Sequence, residues 1–275
     1  MSNGHGFTLA GAPSRAAQEW RYATQSQWSL EEVGAFWDSV IDYDETNEGT
    51  YSYFRRFTNS YELAADLVHP ESVALDIQSR TGYGTVFWAQ RGFIAKAHLA
   101  DFSERMLGLA AIRVAREPLD LETHLVRTFP LPFPDSKFDL VLSYETIEHI
   151  CERASFVAEL ARVVRPAGWI ILTCPNLLWE PVHSISAILN LHHSEGPHRF
   201  LTRGNLLRLF ASNDLEIVRE NSTVLLPFSS SLSVAANRSL ERHLPEGIKC
   251  RLALRRSFVL RKAEAGSVSR EARAI

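Results

Sequence analysis

The sequence predicts an α/β fold: a doubly wound sheet of seven strands, mostly parallel with an antiparallel last strand, and helices on both faces. Two observations predict it. Short apolar runs alternate with amphipathic stretches from residue 73 onward, the pattern of parallel strands joined by helical crossovers. Three of those runs end on acidic residues, Asp76, Asp101 and Glu145, which should therefore share the rim beyond the strands' carboxyl ends, where such sheets bind ligands.

The elements follow in order. YFRRFTNSYELAADLV reads as a helix, with Phe54, Phe57, Tyr61, Ala64 and Leu67 along one face. VALDI is the first strand, and TVFWAQRG a helix ending at Gly92. FIAKAHLAD is the second strand, followed by the helix SERMLGLAAIRVARE with Ser103 as N-cap. LETHLV and FDLVLSYE are the third and fourth strands, and a helix starts at about Ile147. RASFVAELARVV is helical up to the turn Pro166-Ala167-Gly168, and WIILTCPN is the fifth strand. TRGNLLRLFASND is a helix opening at Thr202, LEIVRENSTVLL the sixth strand, and RRSFVLRK the seventh.

Around this frame, residues 1–60 form an expected helical cap dense in aromatics, among them Trp20, Trp28, Trp37, Tyr43, Tyr53 and Phe57, with the first 18 residues loose. Residues 61–264 hold the sheet, with an insertion at about 181–198 and a second irregular stretch at 227–250. Residues 265–275 are a tail.

Composition excludes several classes. A chain of 275 residues suits one α/β domain with additions. Net charge is -3 with scattered basic residues, so no nucleic-acid stripe is expected. The cluster Arg251, Arg255, Arg256, Arg261 and Lys262 suits the flank of an exposed strand. Cys151, Cys174 and Cys250 have neither metal-ligand nor disulfide spacing, which points to a reducing compartment. No apolar run reaches the roughly 20 residues of a membrane span, and the start is unlike a signal peptide. A cytoplasmic protein without membrane partners is expected, and nothing sets an oligomeric state.

Four segments carry the chemistry: VALDIQSRTGYGT, LADFSERML, LPFPDSKFDLVLSYETIEHI and VVRPAGWIILTCPN. In their order they resemble the motifs of the class I S-adenosylmethionine-dependent methyltransferases, over about residues 70–215. The resemblance implies a Rossmann-like sheet, S-adenosylmethionine as cofactor and a small-molecule acceptor. It implies cofactor contacts at Asp76, Gln78, Gly82, Gly84, Asp101, Phe102, Arg127 and Tyr144. Each has a physical reason or a physical objection. Gly82 and Gly84 let backbone approach a ligand, Asp76 is expected to order the loop through its amides, and Asp101 suits the two hydroxyls of a ribose. Gln78 and Arg80 stand where the family has glycine; side chains there are tolerable if backbone angles stay ordinary and the chains point outward. Arg127 falls where an acceptor usually holds the adenine amino group, and a guanidinium accepts nothing. These departures keep open a second reading, a fold retained for binding or scaffolding with a weakened cofactor site. Non-methyl chemistry on another adenosine derivative is a weaker third.

Methyl transfer is an in-line displacement, and an oxygen acceptor needs a base. His149 and His198 are the candidates. Glu145, Glu148 and His149 form E-x-x-E-H, which helical spacing would gather on one face. Some family members similar in this motif hold a divalent metal with a downstream histidine, here His198. Pocket lining by an uncomplexed pair explains the same residues, and metal is not the preferred reading. No N-P-P-Y or D-P-P-Y follows the fourth strand, and Cys174-Pro175 follows the fifth, which argues against base-methylating chemistry.

Overall fold

In the computed structural model, which describes residues 7–262, four helices precede the sheet. α1 (Ala12–Thr24) starts inside the segment expected to be loose, with Pro13 pre-set for a first helical turn. α2 (Leu30–Ser39) opens with a capping box: Ser29 accepts from the Glu32 amide, and Glu32 accepts from the Ser29 amide. α3 (Tyr43–Asn47) is short, and α4 (Tyr51–Ala64) is capped by the Thr50 side chain. α4 buries Phe57 and Ala64 of the face read from the sequence, with Tyr61 half-buried, while Phe54 stays exposed and Tyr53, not on that face, is buried instead.

The alternation then runs as expected. β1 (Ser72–Ile77) leads to α5 (Tyr83–Ala89), β2 (Ile94–Asp101) to α6 (Glu104–Val114), with Ser103 accepting from the Met106 amide as the cap. β3 (Asp120–Leu125) and β4 (Phe138–Tyr144) follow. The helix expected from Ile147 is instead a single 3₁₀ turn, Ile147–His149, and α7 (Arg153–Val163) begins only after it. β5 (Val164–Pro175) runs through Pro166-Ala167-Gly168 rather than starting after it, with Ala167 at φ 62. The insertion contains α8 (Glu180–Ile188), and Thr202 caps α9 (Arg203–Ala211) ahead of β6 (Leu215–Thr223). The stretch expected to be irregular before the last strand holds α10 (Ser231–His243) and α11 (Glu246–Leu252). β7 (Arg255–Lys262) has the predicted bounds.

The seven strands lie in the order β3-β2-β1-β4-β5-β7-β6. β7 is antiparallel to β5 and β6, and the other pairings are parallel. The chain moves outward from β1 to β3, then crosses back to β4, which makes the β1–β4 boundary the switch point where a crevice opens. Leu75, Ile77, Val141, Leu142, Ile170 and Ile171 are fully buried between the helical layers. Each such side chain contributes roughly 1.5–3 kcal/mol. β3 is different: it is an edge strand in which Asp120, Glu122, Thr123 and His124 outnumber the two leucines. The basic cluster near the end does not flank an exposed strand, because β7 lies inside the sheet. Arg256 there is buried, bonding the Leu201 carbonyl and Asn176 Oδ1.

Candidate active site

The loop after β1 keeps the backbone of a glycine loop with other side chains on it. Gln78 and Arg80 have φ of 55° and 53°, in the left-handed region, as Gly82 does at 80°. Both side chains are buried, so neither condition for tolerating side chains there, ordinary angles or an outward direction, is met. The Gln78 amide oxygen accepts from the Arg80 guanidinium at 2.6 and 3.0 Å. That guanidinium stacks 3.5 Å above the ring centroid of Trp37 in α2, a cation–π contact. Gly84 is required by packing inside the fold: a Cβ there would fall 2.8 Å from the Tyr144 ring and 3.2 Å from Asp76 Oδ2.

Asp76 and Asp101 share the rim at the ends of β1 and β2, and both accept from backbone amides. Asp101 holds the loop itself: Oδ2 accepts from the Arg80 amide at 2.8 Å, and Oδ1 from the Ser103 amide at 2.9 Å. Asp76 Oδ2 accepts from Thr85 Oγ1 at 2.7 Å. Burial pushes Asp76 up to about 7, against the Thr85 hydroxyl and helped by the Asp101 charge. Burial pushes Asp101 up to about 6, against Arg80 and the amides it binds. Both hold protons more tightly folded than unfolded, so their contribution to stability falls as pH rises from about 4 to about 7. His149, held low by burial, acts in the opposite sense below its ordinary value. The informative comparison is therefore variant against wild type. Asp76→Asn should gain stability relative to wild type in chemical denaturation as pH rises between about 4 and about 7. A constant difference would assign the titration to another group.

The N-terminal helices close over this rim. Asp38 accepts from Ser103 Oγ at 2.6 Å and the Arg105 amide at 3.0 Å. Asp44 accepts from Thr81 Oγ1 and from Arg113, both at 2.6 Å, and Tyr83 donates to Glu48. Gly34 lets α2 touch the chain after β2: a Cβ would fall 2.0 Å from the Phe102 carbonyl oxygen and 3.2 Å from Arg127 Nη1. α2 therefore covers Phe102 and Arg127. The remaining spaces are a cavity of about 40 Å³ touching Trp37, Arg80, Glu148, Glu195 and Arg255, and one of about 10 Å³ touching Asp76, Arg80 and Gly84. A larger open groove of about 790 Å³ lies between α4 and α10, away from the strand-end acids.

Tyr144 is buried, and its hydroxyl is engaged inside the fold by Trp88 Nε1 at 2.9 Å and Ser60 Oγ at 2.8 Å. Glu145, at φ 53, accepts from Thr173 Oγ1 at 2.8 Å and pairs with Arg255 at 2.5 Å. Because Ile147–His149 is a 3₁₀ turn, Glu145, Glu148 and His149 do not line one helical face. Among the described residues, the ligand atoms of Glu145, Glu148, His149 and His198 do not converge on a common point.

Glu148 is buried with Oε2 lacking a hydrogen-bond partner, and burial raises its carboxyl well above the ordinary range, with the Glu145 charge adding to the rise. His149 Nδ1 lies 3.1 Å from the Pro197 carbonyl oxygen, and Nε2 has no hydrogen-bond partner, with Glu195 Oε2 at 4.0 Å. Burial lowers the imidazole well below its usual value, with the Arg80 charge adding to the fall. It is thus neutral: Nδ1–H donates to Pro197, and Nε2 keeps the lone pair. His198 lies beside it, ring centroids 6.3 Å apart, with Nδ1 2.8 Å from the Gly196 carbonyl oxygen. Glu195 stays well below the ordinary carboxylate range although burial opposes this, held there by His183, His193 and His192. Trp179 is structural, donating to the Leu252 carbonyl. Trp37, Tyr43, Arg56, Glu195 and Arg255 line the cleft without having been assigned to the site from sequence, where Trp37 and Tyr43 counted among the cap aromatics and Arg255 in a basic cluster. Their only signals were an aromatic-rich leader, a histidine-rich insertion and a terminal basic run.

Residues 75–172, which carry the loop, both acids and β4–β5, match the methyltransferase domain family. The chain carries a class I S-adenosylmethionine-dependent methyltransferase domain. Over 151 residues it is 27% identical to the ubiquinone/menaquinone biosynthesis C-methyltransferase UbiE of Cupriavidus taiwanensis, covering 54% of this chain and 62% of the relative. The UbiE of Burkholderia mallei matches to the same extent. The chain thus spans somewhat under two thirds of these relatives' length. Among solved structures, the [4+2]-cyclase SpnF superposes with a TM-score of 0.63 at 14% identity, covering 86% of this chain and 98% of that one. The geranyl diphosphate C-methyltransferase of Streptomyces coelicolor A3(2) does so with 0.59 at 12%, covering 85% and 98%. At these identities the likeness is one of fold.

S-adenosylmethionine is the cosubstrate of the methyltransferase domain family. The rim of this domain fits it chemically, with acids at the ends of β1 and β2 and two glycines at the start of α5. The shape of the cleft does not. Small-molecule sites usually enclose roughly 300 Å³ or more, and here Arg80, Trp37 and α2 fill that space. Binding requires those groups to move.

Proposed function

We propose that this chain transfers a methyl group from S-adenosylmethionine to an oxygen of a small-molecule acceptor, in the cleft beyond β1, β2 and β4. The observation that carries the choice of oxygen is His149: a neutral imidazole whose Nδ1–H is held by Pro197, leaving the buried Nε2 lone pair without a hydrogen-bond partner and 4.0 Å from Glu195, which lines the cleft. The bound cofactor would supply an electrophilic methyl group. The chain's own contribution is positional: Asp101 and the loop hold one partner, and His149 takes the acceptor's proton, with the Glu195 carboxylate nearby to stabilise the imidazolium. His198 packs beside His149 as a positioning residue. A metal is not part of this reading, since Glu145 is committed to Arg255 and Thr173. The division into an N-terminal cap to residue 60, a catalytic domain from 61 and a tail is likewise our reading; the tail lies outside the described residues. Three unpaired cysteines, and the lack of any described helix long and apolar enough to cross a membrane, support a cytoplasmic setting.

Calorimetric titration with S-adenosylmethionine and S-adenosylhomocysteine tests the cofactor. Dissociation constants in the micromolar range, about −8 kcal/mol, are expected; no heat from folded protein at millimolar ligand would refute the activity. His149→Gln should then lower kcat by about 10²–10⁴ with cofactor affinity kept. A loss below about tenfold removes His149 as base and, with it, the case for oxygen. One observation favours a second reading, a fold kept for binding alone: the Arg80–Trp37 stack filling the cofactor cleft.

A further inference from the structure

The sheet edge carries a group of side chains that methyl transfer does not use. Glu122 and His124 are two apart on β3, so they face the same side of the strand. His98 of β2 stands in register with Glu122. The three side chains meet: His98 Nδ1 lies 3.0 Å from His124 Nε2 and 3.3 Å from Glu122 Oε2, and His124 Nε2 lies 3.7 Å from the same oxygen. A tetrahedral ion with bonds of about 2.0–2.1 Å holds its ligand atoms about 3.3 Å apart. The three separations bracket that value.

The surroundings suit such an ion. Lys96 grips the other Glu122 oxygen at 2.6 Å and so fixes the carboxylate with Oε2 toward the histidines. Phe133 and Phe138 wall the buried His98 ring, and Phe133 also packs on His124. Burial, with the Lys137 charge, lowers His98 to about 4, so it stays neutral with a lone pair to give. His124 and Glu122 are partly exposed, which leaves a side open for the ion and a water. Lys96 and Lys137 are the charges opposing a cation here.

We propose that His98, Glu122 and His124 form a divalent-cation site, for zinc or a similar borderline ion, that clips the edge strand β3 to β2. Two imidazoles and one carboxylate are a donor set for such ions, and nitrogen ligands disfavour magnesium and calcium. The clip would tie down an edge strand that runs directly into Val126 and Arg127, the latter packed against Gly34 of α2.

The test is zinc titration of the untagged full chain in competition with a chromophoric chelator, with thermal melting alongside. A second convergent group, His192, His193 and Glu195, also lies within ligand distance, so the background is a His192→Ala/His193→Ala double variant. That variant is expected to bind about one zinc per chain and to melt higher with it. Adding His124→Ala should weaken zinc at least about tenfold and cancel the rise in melting temperature. Glu122→Gln, at a more exposed position, should do the same. Zinc binding by the double variant that neither substitution alters, or no binding by it at all, would overturn the proposal and leave a hydrogen-bonded histidine pair.

Discussion

Arg80→Gly is expected to raise the affinity for S-adenosylhomocysteine at least about tenfold, or 1.4 kcal/mol. Arg80 sits at φ 53, which costs a residue with a Cβ about 1–2 kcal/mol and costs glycine nothing comparable. What offsets the strain is the guanidinium's stack on Trp37 and its two hydrogen bonds to Gln78. Such contacts are worth about 0.5–2 kcal/mol for the stack and about 1.5–3 for a charge-assisted hydrogen bond. A ligand that displaces the side chain must give up those contacts, and its apparent affinity falls accordingly. Glycine removes the strain and the plug together with those contacts, which outweigh the strain, so the variant should be less stable while the cleft opens. Calorimetry on the two proteins decides. Weaker binding by the variant would make Arg80 a cofactor ligand rather than a plug, and unchanged binding would place the cofactor elsewhere.

The second large effect is at Asp101. Asp101→Ala orphans the buried amides of Arg80 and Ser103, each worth about 1–3 kcal/mol. Removing a carboxylate that burial pushes up to about 6 recovers part of that cost. A net loss of about 2–4 kcal/mol in chemical denaturation is expected, together with loss of measurable S-adenosylmethionine binding. Asp101→Asn keeps one acceptor for the loop and should stay folded with about tenfold weaker binding. Full affinity in either variant would remove Asp101 from the cofactor site.

Much of the fold was legible because its signals are local. Parallel strands buried on both faces read as apolar runs, Ser103 and Thr202 announced their helices, and β7 was delimited residue by residue. The misreadings share one cause. The 3₁₀ turn at Ile147–His149, the extension of β5 through Pro166, and the helices within 181–198 and 227–250 depend on packing against distant elements. Propensity alone does not set such boundaries. The first half of α1 was read as loose because the start of the chain is rich in glycine, alanine and serine.

In the site, the sequence by itself determined the rim: which acids end which strands, where glycine permits close approach, and that Gln78 and Arg80 depart from the pattern. Those facts follow from strand period and side-chain chemistry. Only the tertiary structure decided what the departures do. A side chain at positive φ turns inward or outward according to its neighbours, and here Trp37, from a helix more than forty residues away in sequence, supplies the ring that draws Arg80 into the cleft. The same holds for Glu145, committed to Arg255 across the sheet, and for His98, Glu122 and His124, gathered by strand register. Contacts between residues distant in sequence are set by the three-dimensional packing of strands and helices, and a one-dimensional pattern does not contain them.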